Sequence, residues 1–311
     1  PTPRFPLRKV TTMTHLPLHS ALPSSRTLTR CRSLAAVTAI AVGALTLAGC
    51  ASSEPEVTSP APVATTHVHS IVPAPDGNGF LIGTHEGIYT ATEDGQLGGP
   101  VAGPVFDAMG LTSIDGTLIA SGHPGPDTPP ELGAPHLGII RSTDTAQSWQ
   151  PVAYTGEKDF HVLAAGPSGT LYGITTDSPD ILTSTDQGKT WAPTGSALPA
   201  FNLTVDADER LIASTPDGLQ VSLDGGGRFV PWDGAPLIAL LNTSPDRQRI
   251  VGIGSGNTLW AAQAGSKAWE QVGVAPATPQ AVAITDTGNI LIAGESGLTA
   301  LPVSEQLTSP N

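Results

Sequence analysis

Short apolar runs separated by turn residues recur along the chain after residue 66. A second apolar run precedes each turn, as Val162–Ala165 and Ala281–Ile284 illustrate. No segment of this region repeats its apolar positions with the period of an α-helix, so the pattern favours antiparallel strands and an all-β fold. Six runs that follow turns containing Gly, Asp, Asn or Ser are Phe80–Gly83, Thr117–Ser121, Leu171–Ile174, Leu211–Ser214, Ile250–Ile253 and Ile290–Ala293.

The same arrangement repeats about every 40 residues. Trp149, Trp191, Trp232 and Trp269 are spaced by 42, 41 and 37 residues. Repeats of this length with up to four short strands are typical of a β-propeller, in which each repeat forms one four-stranded antiparallel blade. We predict six blades; seven is the alternative, but it needs strands that the pattern does not show. The predicted blades are 67–104, 105–155, 156–196, 197–233, 234–274 and 275–305, and residues 60–66 are the candidate to complete the last one.

The octapeptide Ser184–Trp191 follows the pattern Ser-x-Asp-x-Gly-x-Thr-Trp. An Asp side chain bonds nearby backbone N–H groups and Gly tolerates a positive φ, so the octapeptide predicts a tight hairpin between two outer strands. It contains no nucleophile beside a base and indicates fold rather than chemistry. Its defining residues are Ser184, Asp186, Gly188, Thr190 and Trp191, with counterparts at Asp144, Trp149 and Asp224 in degenerate copies.

The charge is divided unevenly along the chain. Six basic residues and no acidic residue precede residue 50, whereas the remainder carries 8 basic and 27 acidic residues. A surface with this excess of negative charge repels phosphate backbones, so nucleic acid is not an expected partner.

The first 49 residues are predicted to be an export signal. Basic residues at 26–32 precede the apolar run 34–47, which is too short to span a bilayer comfortably. Met13 is the expected start, which would make residues 1–12 an over-extension. The sequence Leu47-Ala48-Gly49-Cys50 resembles a bacterial lipobox. That resemblance implies cleavage before Cys50 and attachment of lipid to it; an ordinary signal peptide with an incidental Cys is the alternative.

The expected mature protein is therefore anchored through Cys50 to the outer face of the cell membrane. Residues 51–66 are rich in Pro, Ser and Thr and form the predicted tether, and residues 306–311 form a tail. Cys31 lies in the predicted signal, so the mature chain has one cysteine and no internal disulfide.

Together, the octapeptide (an Asp box), the blade period and the lipobox resemble the sialidase-like and sortilin-like propeller superfamily. The resemblance is greatest to exported bacterial BNR-repeat propellers, which are commonly labelled "glycosyl hydrolase". The matching segments are Thr66–His69, Gly83–Gly87, Ala120–Gly125, Leu137–Gly138 and Asp159–His161.

Sialidase chemistry does not follow from this resemblance. The family holds a substrate carboxylate with three arginines and uses a Tyr nucleophile assisted by a carboxylate. The mature chain has no Arg-Ile-Pro motif, and neither its arginines nor its tyrosines stand in the matching context. These residues are Arg141, Arg210, Arg228, Arg247, Arg249, Tyr89, Tyr154 and Tyr172.

All histidines that follow Cys50 lie in the first three predicted blades. In an up-and-down blade, the start of the first strand and the end of the second strand lie on the same face of the disc. His69 and His161 begin first strands, whereas His85 and His123 follow second strands, so the four side chains are expected at one rim. The remaining two are His67 and His136.

Three blade entries align as His67-Val68-His69, Asp107-Ala108-Met109 and Asp159-Phe160-His161. Side chains at i and i+2 of a strand point to the same side. Imidazole, thioether and carboxylate groups form a ligand set that suits copper first and zinc second, with iron also compatible. The carboxylates could instead orient the ring nitrogens of the ligands.

The leading hypothesis is a non-catalytic, membrane-tethered propeller that binds a metal ion or small ligand at this rim. The predicted site residues are His67, His69, His85, Asp107, Met109, His123, Asp159 and His161.

Three alternatives stay open. The rim residues could form a hydrogen-bonded polar plug; Glu86 and Asp159 could be the paired carboxylates of a glycoside hydrolase or sugar-binding site; or the propeller could be a scaffold for another envelope protein. The Pro-rich loop 122–131 is either a lid over the site or a surface insertion.

Overall fold

The computed structural model describes residues 67–302. The predicted signal segment, the lipidation at Cys50, the tether, the candidate strand at 60–66 and the tail lie outside these residues. The described part of the chain contains no helix that is long and apolar enough to cross a membrane.

The described chain folds into six antiparallel sheets that follow one another in sequence. The first three blades are Val68–Pro73, Phe80–Thr84, Gly87–Ala91 and Leu97–Pro100 (β1–β4); Phe106–Ile114, Thr117–Pro124, Ile139–Ser142 and Gln150–Ala153 (β5–β8); and Phe160–Ala165, Leu171–Thr175, Ser178–Ser184 and Ala192–Ala197 (β9–β12). The last three are Asn202–Val205, Leu211–Thr215, Gly218–Ser222 and Val230–Pro231 (β13–β16); Ile238–Thr243, Arg249–Gly254, Thr258–Gln263 and Glu270–Val274 (β17–β20); and Pro279–Ile284, Asn289–Gly294 and Gly297–Pro302 (β21–β23).

The first strand of each sheet lies innermost, and these strands contact one another in sequence order, with β21 against β1. This closure forms a ring and confirms the predicted six-bladed β-propeller. The described part of the sixth blade has three strands, as the sequence pattern indicated.

The core lies between neighbouring blades. The second strands β2, β10 and β14 are buried at every position. Both faces of each are covered by adjacent sheets, which explains why these segments are continuous apolar runs rather than alternating ones. At the seam that closes the ring, Phe80 and Ile82 of the first blade cluster with Ala281 and Leu291 of the sixth.

A polar side chain also links blades across the centre of the ring. The Asn242 Nδ2 group on β17 donates hydrogen bonds to the carbonyl oxygens of Ile71, at 2.9 Å, and Val282, at 3.0 Å. One amide thus links the fifth, sixth and first blades.

The octapeptide 184–191 forms the hairpin between β11 and β12. Ser184 Oγ donates to Asp186 Oδ1 at 2.8 Å and accepts from the Gly188 N–H at 3.0 Å. The Asp186 carboxylate accepts from the N–H and the Oγ1–H of Thr190, at 2.9 and 2.6 Å. Trp191 Nε1 donates to the Gly188 carbonyl at 2.9 Å. The Gly188 φ of 82° explains the need for glycine at this position.

The two degenerate copies form the equivalent hairpins between β7 and β8 and between β15 and β16. Asp144 accepts from the backbone N–H of Ser148, and Asp224 accepts from that of Arg228, each at 2.9 Å. In the first copy Ala146 takes the place of glycine and has a φ of 68°. Ser142 Oγ accepts from the Ala146 N–H and Asp144 Oδ1 accepts from the Ser148 N–H, and these bonds hold the turn in a conformation that alanine disfavours.

We expect Asn242→Ala to lower the free energy of unfolding by about 1–3 kcal/mol, because two backbone carbonyls of other blades lose their donor. Chemical denaturation monitored by circular dichroism measures the change. Asn202→Ala, at another position that lines the central channel, is the matched control. An equal loss in the two variants would contradict the bridging role of Asn242.

We expect Asp186→Ala to lower the thermal unfolding midpoint by a few degrees at neutral pH. Hydrogen bonds from the Thr190 hydroxyl and N–H lower the pKa of Asp186 from 3.8 to about 2. The ionised carboxylate therefore contributes stability that is complete above pH 3.8 and is lost as the pH falls towards 2.

Thermal unfolding followed across this pH range tests the linkage, with Asp217→Ala in the exposed turn between β14 and β15 as control. The difference between Asp186→Ala and the unmodified protein should shrink as the pH approaches 2. A difference that is independent of pH would contradict the assignment.

Candidate functional site

The strand directions place two kinds of turn at opposite rims of the ring. First strands begin, and second strands end, at one rim; the Ser-Asp hairpins connect third and fourth strands at the other. The first of these is called the histidine rim here, and it is defined by His67, His69, His85, Asp107, Met109, His123, His136, Asp159 and His161.

The strand register confirms the alignment of the three blade entries. Ser70 pairs with Gly83, Gly110 with Ser121, and Val162 with Ile174. These pairs make Val68, Ala108 and Phe160 equivalent, and all three residues are buried. Just before each pair the register shifts, and the residues at the shift are His69 in β1, Ala108 and Met109 in β5, and His161 in β9. A β-bulge of this kind re-aims a side chain at the end of a strand.

Three imidazoles of the first blade form a group, called the histidine group: His67, His69 and His85. Each offers one ring nitrogen, and these nitrogens lie within 4.8 Å of one another. The ring centroids are 4.6–5.0 Å apart. The backbone supports this geometry, because the His85 N–H donates to the His67 carbonyl and the Val68 N–H donates to Gln280 Oε1.

The carboxylate of Asp107 reaches the histidine group from the neighbouring blade. Its oxygens lie 3.1 Å from His69 Nε2 and 2.8 Å from His85 Nδ1. Burial opposes ionisation of Asp107, but hydrogen bonds from the two imidazoles and their positive charge outweigh it and lower its pKa. Burial lowers the pKa of His67, and repulsion from His69 and His85 lowers it further. His67 is therefore neutral, and able to ligate a metal, at lower pH than an isolated histidine.

A second set of ligands lies between the second and third blades and is called the mixed group: His123, Asp159 and His161. Asp159 Oδ2 lies 2.7 Å from His161 Nε2 and 3.3 Å from His123 Nε2. Asp159 is only 4% exposed, and its other oxygen, Oδ1, is buried without a hydrogen-bond partner among the described residues. One carboxylate oxygen of Asp159 thus contacts two imidazole nitrogens, whereas the other contacts none.

His136 accompanies the mixed group. Its ring centroid is 5.3 Å from that of His123, and its buried Nδ1 has no hydrogen-bond partner in the described part of the chain. The sequence pattern gives no role to His136, because the loop that carries it has no counterpart in the other repeats. Its proximity to His123 depends on the path of that loop and not on a strand pattern.

The two groups share one arrangement of a histidine and an aspartate from neighbouring blades. A histidine at or just after the end of a second strand faces an aspartate at the start of the next blade, as His85 faces Asp107 and His123 faces Asp159. Asp107 and His123 are also paired residues of β5 and β6, so the second blade contributes to both groups. The sequence predicted one rim shared by four histidines; the structure divides them between two groups.

Glu86 and Met109 belong to neither group of imidazoles and carboxylates. Glu86 lies in the exposed turn after β2, where its N–H donates to Thr84 Oγ1 at 3.0 Å. The Glu86–Asp159 pair of the hydrolase alternative thus has one member in an exposed turn and the other buried in the mixed group. Met109 lies at the bulge of β5, between the two groups in sequence.

The Pro-rich loop is attached to the body of its own blade. Thr128 Oγ1 donates to the Val105 carbonyl at 2.7 Å, and the Gly125 N–H donates to Thr128 Oγ1 at 2.8 Å. The loop continues into a 3₁₀ turn, Pro130–Leu132, whose Leu132 is buried in the core. These contacts favour a packed insertion over a moving lid.

A central channel of about 330 Å³ leads from the histidine rim into the ring. His69 and Gln280 line it, as do the polar side chains of Asn202 and Asn242. Ser70 also lines it, and its buried hydroxyl has no hydrogen-bond partner among residues 67–302. The histidine group therefore borders a polar cavity large enough for water or a small ligand.

Two solved structures illustrate the shared fold. The chain is similar to a protein named as a gluconolactonase, with a TM-score of 0.57 and 13% identity over 78% of this chain and 90% of that one. It is also similar to the extracellular domain of a hybrid two component system from B. thetaiotaomicron, with a TM-score of 0.50 and 15% identity over 80% of this chain.

The chain spans about a third of the length of that extracellular domain, since it covers 33% of it. At these identities the similarity shows the β-propeller fold alone. No protein-family model matches the chain, and the comparison with curated proteins gave no match.

Proposed function

We propose that this propeller binds a metal ion, copper first and zinc second, at the histidine group of its rim. The observation that carries the proposal is the convergence of three imidazoles from one blade, with ring nitrogens within 4.8 Å of one another. Three neutral imidazoles form a ligand set that first-row transition metals prefer.

The electrostatics of the group favour a metal over a purely structural plug. Three imidazoles at these distances repel one another when they are protonated, and Asp107 supplies a single opposing carboxylate. A structural plug could be built from any hydrogen-bonding side chains and does not need three histidines so close together. Protonated histidines at this distance repel one another, whereas neutral histidines can bind a cation as ligands. Asp107 contacts His69 Nε2 and His85 Nδ1, which lie 3.5 Å apart, so its carboxylate would be a further ligand of the bound ion.

The order of metals follows from the ligand types. Imidazole suits both copper and zinc, and a divalent site of given ligands generally binds copper more tightly than zinc. Met109 lies in the irregular stretch of β5 on the neighbouring blade, and a thioether ligand from it would favour Cu(I). The role we propose is the binding and handling of metal outside the cytoplasm, without a catalytic step.

The proposed location is the outer face of the cell membrane, with lipid on Cys50 and residues 51–66 as the tether. The lipobox-like Leu47-Ala48-Gly49-Cys50 and the absence of acidic residues before it support this location.

Metal titration of the protein, purified without a His tag and stripped with a chelator, tests the function. We expect Cu²⁺ and Zn²⁺ to bind stoichiometrically. The variant His67→Ala/His69→Ala loses two direct ligands and should weaken binding at the histidine group by more than about 100-fold. Loss of a residue that only orients a ligand typically weakens binding by about 10- to 100-fold. Isothermal titration and elemental analysis provide the measurement.

Glu86→Gln, in the adjacent exposed turn, is the matched control and should bind metal like the unmodified protein. Circular dichroism verifies that each variant folds. The proposal would be contradicted if His67→Ala/His69→Ala bound metal with the same stoichiometry and affinity as the unmodified protein.

A further inference from the structure

We infer that the mixed group is a second metal site, separate from the histidine group, that binds a divalent first-row ion through His123, Asp159 and His161. The inference shares the metal chemistry of the proposed function but rests on a different set of side chains. It makes the rim a two-ion surface.

The first argument is a buried polar atom, Asp159 Oδ1, that has no hydrogen-bond partner among residues 67–302. Buried polar atoms in folded proteins are nearly always hydrogen-bonded, so an unpartnered oxygen on the carboxylate that contacts two imidazoles requires a physical cause. A cation bound among these side chains provides it, because a carboxylate oxygen and an imidazole lone pair are both metal ligands.

The second argument concerns the orientation of the His123 ring. Its Nδ1 lies 3.4 Å from the Pro135 carbonyl oxygen, which can only accept a hydrogen bond. A neutral His123 that donates there presents the lone pair of Nε2 to Asp159 Oδ2, 3.3 Å away. A divalent ion held by both atoms would use this lone pair and the carboxylate oxygen as ligands. The Nδ1–H to carbonyl bond is also the usual arrangement of a metal-bound histidine.

The third argument is geometric convergence. Nε2 of both His123 and His161 points to the same carboxylate oxygen of Asp159. Asp159 cannot easily turn away, because it is 4% exposed and the next residue, Phe160, is buried with its N–H bonded to Ser121 Oγ at 2.9 Å. The carboxylate is thus held where two imidazoles meet, and a metal ion there keeps all three groups as ligands.

The ligand types distinguish this site from the histidine group. Two imidazoles with one carboxylate suit zinc, iron(II) or cobalt(II), and the carboxylate makes the set harder than a set of imidazoles alone. The site is therefore expected to retain Zn²⁺ or Co²⁺ under conditions in which Cu(I) occupies the histidine group.

Stoichiometric titration with Co²⁺ and Zn²⁺ tests the inference on the full propeller. The unmodified protein should bind two ions per chain, His123→Ala/His161→Ala one, His67→Ala/His69→Ala one, and the fourfold variant none. His123 and His161 have side chains 38% and 40% exposed, so their replacement should leave the fold intact, which circular dichroism verifies. The near-isosteric Asp159→Asn should also remove one ion.

The outcomes separate the inference from the proposed function. The second site is overturned, and the first is left, if both His123→Ala/His161→Ala and Asp159→Asn still bind two ions. The same conclusion follows if the unmodified protein binds a single ion that only His67→Ala/His69→Ala removes. Loss of an ion only on changing the mixed group supports the second site and overturns the first. Absence of binding in the unmodified protein overturns both.

Discussion

The packing of each sheet between two neighbours is the constraint on which the rest of the molecule depends. Second strands such as Leu211–Thr215 are buried at every position, so no blade can cover its own apolar surface. Only a closed ring satisfies all six, and the cluster that joins Phe80 to Leu291 completes it. A disulfide is not needed for this closure, because the apolar area between sheets and the Asn242 hydrogen bonds join the blades.

Closure also brings polar side chains of different blades together. A side chain at the end of a second strand faces the beginning of the next blade, and in two successive seams this juxtaposition pairs an imidazole with an aspartate. His85 meets Asp107, and His123 meets Asp159. The candidate metal groups are thus a product of the same geometry that packs the core, with the bulges in β1 and β9 aiming the additional imidazoles of His69 and His161.

The repeat pattern allowed much of this to be predicted. The hairpin at 184–191 and the spacing of the tryptophans fixed the blade register, and the register aligned His67-Val68-His69 with Asp107-Ala108-Met109. His136 could not be assigned in this way, because it lies in an irregular loop whose path depends on contacts such as that of Leu132 with the core. The sequence also did not show that Asp159 is buried while Glu86 lies in an exposed turn, because burial depends on how neighbouring blades pack.

The sequence alone determined the strand order, the number of blades and the rim that carries the histidines, because these depend on local periodicity and on the alternation of strand direction. Tertiary structure decided the division of the histidines into two groups and the engagement of each aspartate. The physical reason is that side-chain distances between blades are set by closure of the ring and by bulges, neither of which leaves a signal in any single repeat. Burial of Asp159 likewise exists only once the second and third blades are assembled.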